Sequence, residues 1–217
     1  MDFQLKIDAA SVVLRGPFAP EKFHPGWFTA NGLINPDAMR DCSVEIISPD
    51  IARFWFEWVR FDIQKDRFAF QIKDTDAFSE LLQDLVVGTL EIAENTQVGA
   101  MGINRDMHFL ASSLEKYIAV GDAFAPKDIW RKLGLDKLGL QSMIMESKRE
   151  APPGHIWTKL EVSDMFGRER GIHFDINNHY ENQEKKTENV IAILKDRWKS
   201  DIDQSLTIAK GLLELGC

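Results

Sequence analysis

Side chains able to do chemistry concentrate in the run IHFDINNHYE, residues 172–181. Read as a strand, its odd positions put His173, Asp175, Asn177, His179 and Glu181 on one face, and Ile172, Phe174, Ile176 and Tyr180 on the other. Imidazoles alternating with a carboxylate are groups that bind metals or pass protons near neutral pH. Spacing limits what the row does alone. At about 3.3 Å per residue, His173 and His179 stand roughly 20 Å apart, whereas ligands of one zinc ion lie within about 4 Å of each other. Sharing an ion would need a turn at Asn177 and Asn178. Otherwise the row is the solvent face of an antiparallel strand, and no metal is expected.

A second group is NRDMH, where Asn104, Arg105, Asp106 and His108 crowd the end of the apolar run QVGAMGIN. Gly99 and Gly102 in that run permit close approach of neighbouring chain. At a strand end, Arg105 would clamp a carboxylate or phosphate; alternatively, Arg105 and Asp106 form a surface pair closing a turn. His24 and His155 stand beside proline or glycine and read as solvated loop histidines. Cys42 reads as a buried small hydrophobe rather than a nucleophile, and Cys217 lacks the terminal tetrapeptide of a prenylation signal.

Familiar catalytic signatures are missing from the sequence. Gly134 and Gly139 have phosphate-loop spacing, but Leu140 and Gln141 stand where that loop needs Lys and Ser or Thr. There is no GxSxG, HExxH, GxGxxG or paired CxxC. Gly99 to Gly102 matches a GxxG clamp only in spacing, with few basic residues nearby. Two cysteines do not make a disulfide framework, and the chain shows neither a leader-like start nor an apolar run of about 18 residues, so a cytoplasmic protein away from membranes is expected. A formal net charge of -8 disfavours nucleic acid and anionic membranes, since binding to both rests on Lys and Arg. Basic residues gather at Lys148 and Arg149 and across Arg168, Arg170, Lys185 and Lys186, but acidic neighbours interrupt each patch.

The elements that must position these groups follow from periodicity. Phe3, Leu5 and Ile7 open a strand that continues to Leu14 and stops at Gly16 and Pro17. Pro17, Pro20, Pro25 and Pro36 then disfavour any long regular element, and Phe18, Phe23, Trp27 and Phe28 would pin this loop to the core. Val44 and Ile46 alternate with polar neighbours, and the run from Phe54 to Trp58 should be buried as a strand or short helix. Val59, Phe61 and Ile63, then Phe68, Phe70 and Ile72, share one face of a hairpin whose other face is wet. Asp74, Thr75 and Asp76 offer caps to a helix over 76–94, where Phe78, Leu81, Leu82, Leu85, Val86, Thr89 and Ile92 keep three-and-four spacing. A short helix begins at Pro126 and ends before Gly134; two or three strands follow, broken at APPG and around Gly167. The last helix runs over 187–215 with Val190, Leu194, Trp198, Ile202, Leu206, Ala209 and Leu213 in one stripe. At ~1.5 Å per residue it is roughly 40 Å long, so its excess is covered either by a partner chain or within the molecule.

Paired strands followed by a long amphipathic helix occur twice, first over VRFDIQKDRFAFQI and DAFSELLQDLVVGTLEIAE, then over HIWTKLEVSDM, GIHFDINNHY and the last helix. The expected fold is α+β: a twisted antiparallel sheet from two related strand-strand-helix halves with long helices packed on one face. It is drawn by analogy with TATA-binding-protein-like or helix-grip folds. The halves would be about 1–120 and 121–217 of a single domain.

The motifs GPFAPEKFHPGWF, TQVGAMGINRDMHF, APKDIW and INNHY, spread over residues 12–181, together resemble those of an uncharacterised bacterial family of similar length. The resemblance implies a bacterial cytoplasmic protein. That family carries no known activity, cofactor or partner, so no functional residue transfers from it.

The missing signatures and the long last helix point first to a non-enzymatic binding or assembly module, with a protein partner or a second copy of the chain and no cofactor. The alternative is a small-molecule-binding protein or enzyme with a pocket between sheet and helices lined by Arg105, His108, His173 and His179, which requires those four to converge. Candidate ligand-binding residues are therefore Asn104, Arg105, His108, His173, Asp175 and His179.

Overall fold

Alternating apolar residues, interrupted by Gly and Pro, sort the chain into strands, and three-and-four spacing sorts the rest into helices. The computed structural model describes residues 2–93, 96–166 and 170–216. Gly167 and Arg168, named above as a break and as part of a basic patch, and Cys217 lie outside the described residues. Strand β1 (Phe3–Arg15) leads into α1 (Pro25–Ala30), β2 (Ser43–Ile47), β3 (Ile51–Trp55), β4 (Val59–Gln64), β5 (Arg67–Ile72) and α2 (Thr75–Ile92). Strand β6 (Ala100–Ala111) leads into α3 (Leu114–Phe124), α4 (Asp128–Arg131), β7 (Ser142–Arg149), β8 (Gly154–Val162), β9 (Gly171–Glu181) and α5 (Thr187–Leu215). The strands form one open antiparallel sheet in the order β2-β3-β4-β5-β1-β6-β9-β8-β7. The class is α+β, as expected from the sequence.

The sheet buries one face under helices. Phe54, Phe61, Phe68 and Phe70 point there from β3, β4 and β5, and their rings stack in pairs, Phe54 on Phe61 at 4.6 Å and Phe68 on Phe70 at 4.3 Å. Phe28 of α1 inserts 4.4 Å from Phe61, and Phe23 lies 5.0 Å from Phe68, so the proline-rich segment is pinned to the core by its aromatics. Cys42 packs against the same cluster, and burial pushes its thiol up, away from nucleophile behaviour. Trp55 departs from the expectation of burial: it is 38% exposed, because its position in β3 turns it to the uncovered face.

Helix α2 starts where the Asp74 carboxylate accepts the backbone N–H of Ala77 at 3.0 Å. It buries Leu82, Leu85, Val86 and Leu90, while Leu81 and Ile92, expected in the stripe, face outward. Helix α5 packs beside it: Gln83 donates to the carbonyl of Leu194 at 2.9 Å and Trp198 Nε1 to Ser79 Oγ at 3.1 Å. Val190, Leu194, Trp198 and Ile202 complete the cluster under β1, β3, β4 and β5, while Ala209 and Leu213 complete a second cluster with Met107, Phe109, Val120, Phe174 and Ile176. The length of α5 is thus used to bridge two clusters of one chain.

The other face shows how polar strand positions are satisfied without cover. Asp62 accepts from Arg53 Nε at 2.8 Å, Gln64 Nε2 at 3.0 Å and Arg67 Nη1 at 3.3 Å. Burial pushes its carboxyl up, yet these donors together outweigh burial and hold it below the usual carboxylate range. A folded pKa below the unfolded one stabilises above the ordinary range and loses that contribution as pH falls through the folded value. Asp62→Ala should therefore cost about 1 kcal/mol at neutral pH, with allowance for the part-exposed arginines, and less in acid. Urea melts at the two pH values check it; an equal cost at both would contradict the assignment.

Candidate functional site

Side chains directly opposite one another on neighbouring antiparallel strands share a face, so register decides which polar groups meet. Strand β9 pairs with β6 on one side and β8 on the other, and four rows result on the face away from α2 and α5. They are His108, His173 and Glu161; Asp106, Asp175 and Lys159; Asn104, Asn177 and Trp157; and Gly102, His179 and His155. The intervening residues Ile103, Met107, Phe174 and Ile176 point into the cores, which fixes the face of every polar neighbour. Gly102 belongs to its row by necessity: a Cβ there would sit 2.9 Å from Asn177 Oδ1.

The first two rows are bonded into one network. Asp106 presents Oδ1 to His108 Nε2 at 3.1 Å and Oδ2 to His173 Nε2 at 3.0 Å. On the far sides of the rings, His108 Nδ1 lies 2.8 Å from Ser163 Oγ, and His173 Nδ1 lies 2.9 Å from Glu161 Oε1. Lys159 holds Glu161 in turn at 2.6 Å. The two imidazoles stack face to face, centroids 4.2 Å apart and planes 7° from parallel.

Electrostatics separates the two rings. Burial pushes His173 down, but Asp106 and Glu161, one on each ring nitrogen, outweigh it and hold His173 above the usual histidine value. Burial and the neighbouring His173 charge push His108 down. Asp106 is held low despite burial by its two histidines, and Glu161 is likewise held low despite burial by Lys159 and His173. Asp175 is pushed up by burial and then by Asp106 beside it. With a carboxylate on each nitrogen, His173 is an imidazolium in this arrangement.

The fourth row is a second stack. His179 lies over His155 at 4.4 Å, and Trp157 lies 4.1 Å from His155. Burial and His155 push His179 down. Asn177 Oδ1 and His155 Nε2 are shielded from solvent without a hydrogen-bond partner in the protein.

Several expectations change. NRDMH does not end a strand: β6 continues to Ala111, so Arg105 and Asp106 alternate to opposite faces instead of closing a turn. Arg105 turns under α5, 3% exposed, with Nε 2.8 Å and Nη2 2.5 Å from the Asp8 carboxylate and Nη1 2.8 Å from the Ile202 carbonyl. The pocket expected between sheet and helices is therefore not formed by Arg105, His108, His173 and His179: the three histidines face the open side and Arg105 the other. His173 and His179 do not meet, as their spacing along β9 requires. Each meets a histidine of a neighbouring strand instead. His155 is a strand residue rather than a solvated loop histidine. Asn104 stays near the array, its Nδ2 3.2 Å from Ser11 Oγ.

The roles of Glu161, Ser163 and His155 were not anticipated, although HIWTKLEV carries the needed signal. Its alternation puts His155, Trp157, Lys159 and Glu161 on one face, ready to meet the odd positions of β9 once the hairpin register is drawn.

Chemically the array holds charge and protons. Ser163, His108 and Asp106 occur in the bonding order of a nucleophilic triad, but Ser163 is 1% exposed and its Oγ also accepts the Met165 N–H at 3.2 Å. A hydroxyl so enclosed orients His108 rather than attacking a substrate. Asp106, His108 and His173 each offer a ligand atom, and these atoms lie within 4.8 Å of one another, close enough to hold a metal ion. Among the described residues no helix is long and apolar enough to cross a membrane. Neither a model of a known protein family nor a curated protein matches the chain, and the meaning of the site rests on its geometry.

Proposed function

We propose that the protein is a non-enzymatic binding module that takes a small cationic ligand on the open face of its sheet, at the array on β6, β9 and β8. The observation that carries this reading is the joining of His108, Asp106, His173 and Glu161 into one part-buried network on the sheet face opposite α2 and α5. A merely solvated strand face is dominated by long side chains reaching into water. This one instead recesses its imidazoles, and it leaves Asn177 Oδ1 and His155 Nε2 without protein partners. Three carboxylates, Asp106, Asp175 and Glu161, face one ammonium, Lys159, and one imidazolium, His173, so the local balance favours a cation.

The two halves are read as related units. Each runs strand, helical insertion, meander and long helix, with β6 standing to β7, β8 and β9 as β1 stands to β3, β4 and β5. On that reading the halves join between α2 and β6, and not near residue 120. TATA-binding-protein-like architectures offer a sheet face as the working surface, and the analogy extends to the surface alone. The -8 net charge and the carboxylates of the array speak against a phosphate backbone as ligand.

Native mass spectrometry of the chain purified from its own host without chelators tests the reading. The expected result is one adduct per chain, a metal or a small organic cation, lost in His173→Ala and Asp106→Asn and kept in His24→Ala. A bare chain in the wild type, or an adduct that survives both array substitutions, would overturn it.

A further inference from the structure

We infer, resting on the open-face reading above, that the first two rows of the array bind one divalent transition-metal ion, with His108 Nε2, His173 Nε2 and an Asp106 oxygen as its ligands. Both Nε2 atoms already converge on one carboxylate, at 3.1 Å and 3.0 Å. Each opposite ring nitrogen is held by a separate group, Ser163 Oγ at 2.8 Å and Glu161 Oε1 at 2.9 Å. That is how histidine ligands are generally fixed: the nitrogen away from the metal bonds to an outer partner, which sets tautomer and ring orientation. A surface ion pair has no need of such support on both rings.

Accessibility fits the same assignment. The His108 and His173 side chains are 14% exposed and Asp106 is 42% exposed, so the imidazoles form a floor and the carboxylate a rim open to solvent. Coordination requires both Nε2 atoms to be unprotonated, with the ring protons held on Nδ1 toward Ser163 and Glu161 and the extra proton of His173 released to solvent as the metal enters. It also requires the rings to tilt from their 7° stack until the two lone pairs so freed meet. Asp106, at the rim, is free to follow them. Two imidazoles and one carboxylate suit zinc, cobalt, nickel or iron, whereas magnesium and calcium favour oxygen alone. Three protein ligands leave at least one position toward solvent, where water or a further donor completes the ion.

Titration of the chelator-treated protein with Co2+, followed by visible absorption and by displacement with Zn2+, tests this. The expected result is saturation at one Co2+ per chain, with displacement by Zn2+. His108→Ala, His173→Ala and Asp106→Asn should each weaken binding by at least about 100-fold. Glu161→Gln, which loosens the support of His173 while leaving the ligands in place, should weaken it by about 10- to 100-fold. His24→Ala, outside the array, should bind as the wild type does. Asp106→Asn keeps side-chain size, so its result stands even if a histidine variant fails to fold. Absence of saturable binding by the wild type, or equal affinity in wild type and Asp106→Asn, would overturn the metal assignment. Failure here together with a small organic cation adduct in the mass spectrum would leave the open-face reading standing.

Discussion

A chain ending at Leu206 is expected to lose its cooperative fold. The sequence allowed the end of α5 to be a handle for a partner, and its removal would then leave a folded core. Instead, Ala209 and Leu213 are buried against Phe109, Val120, Ile172 and Phe174, and Leu212 and Ile208 pack beside them. Fully buried aliphatic side chains contribute roughly 1.5–3 kcal/mol each, and uncovering the aromatic partners adds to the loss. The total comes to about 5 kcal/mol, the lower end of the stability of an entire domain. Urea unfolding followed by near-UV circular dichroism reads the effect directly. A shortened chain that melts at the midpoint of the unshortened one would contradict the bridging role of α5.

The second large effect belongs to Arg105. Its guanidinium forms a fork-to-fork pair with Asp8, and its third contact ties β6 to the Ile202 carbonyl of α5. Arg105→Ala strands a carboxylate that is itself largely shielded and should cost about 3–5 kcal/mol. Replacing both partners, Arg105→Met with Asp8→Leu, removes the charges together and should recover most of the loss. The comparison separates a structural pair from a ligand clamp. Loss of ligand binding in the double variant with stability restored would return Arg105 to the functional residues.

Local regularity made much of the fold legible. The two long helices and the hairpin of β4 and β5 each show their period within one window of sequence, and both helices occur within two residues of the expected bounds. Helix α3 was missed. It buries only Val120, so its apolar stripe is weak, although Ser113 caps it by accepting the Lys116 N–H at 3.2 Å. The site was half legible for a physical reason. Period two along β9 shows that His173, Asp175, Asn177 and His179 share a face, but whether another chemical group joins them depends on pairing between segments far apart in sequence. His108 meets His173 across 65 positions, and Ser11 meets Asn104 across 93. Register of that kind leaves no local trace. Arg105 shows the converse: a run read as a strand end hides the alternation that sends neighbouring Arg105 and Asp106 to opposite faces.

The measurement that reaches the site most directly is a long-range 15N–1H spectrum of the histidine rings, taken on chelator-treated protein and again after one equivalent of Zn2+. The expected result is that the Nε2 resonances of His108 and His173 move together, while His24, outside the array, stays where it was. Shifts confined to His24 or His179, or no shift at all, would contradict a metal site built on the pairing of His108 with His173.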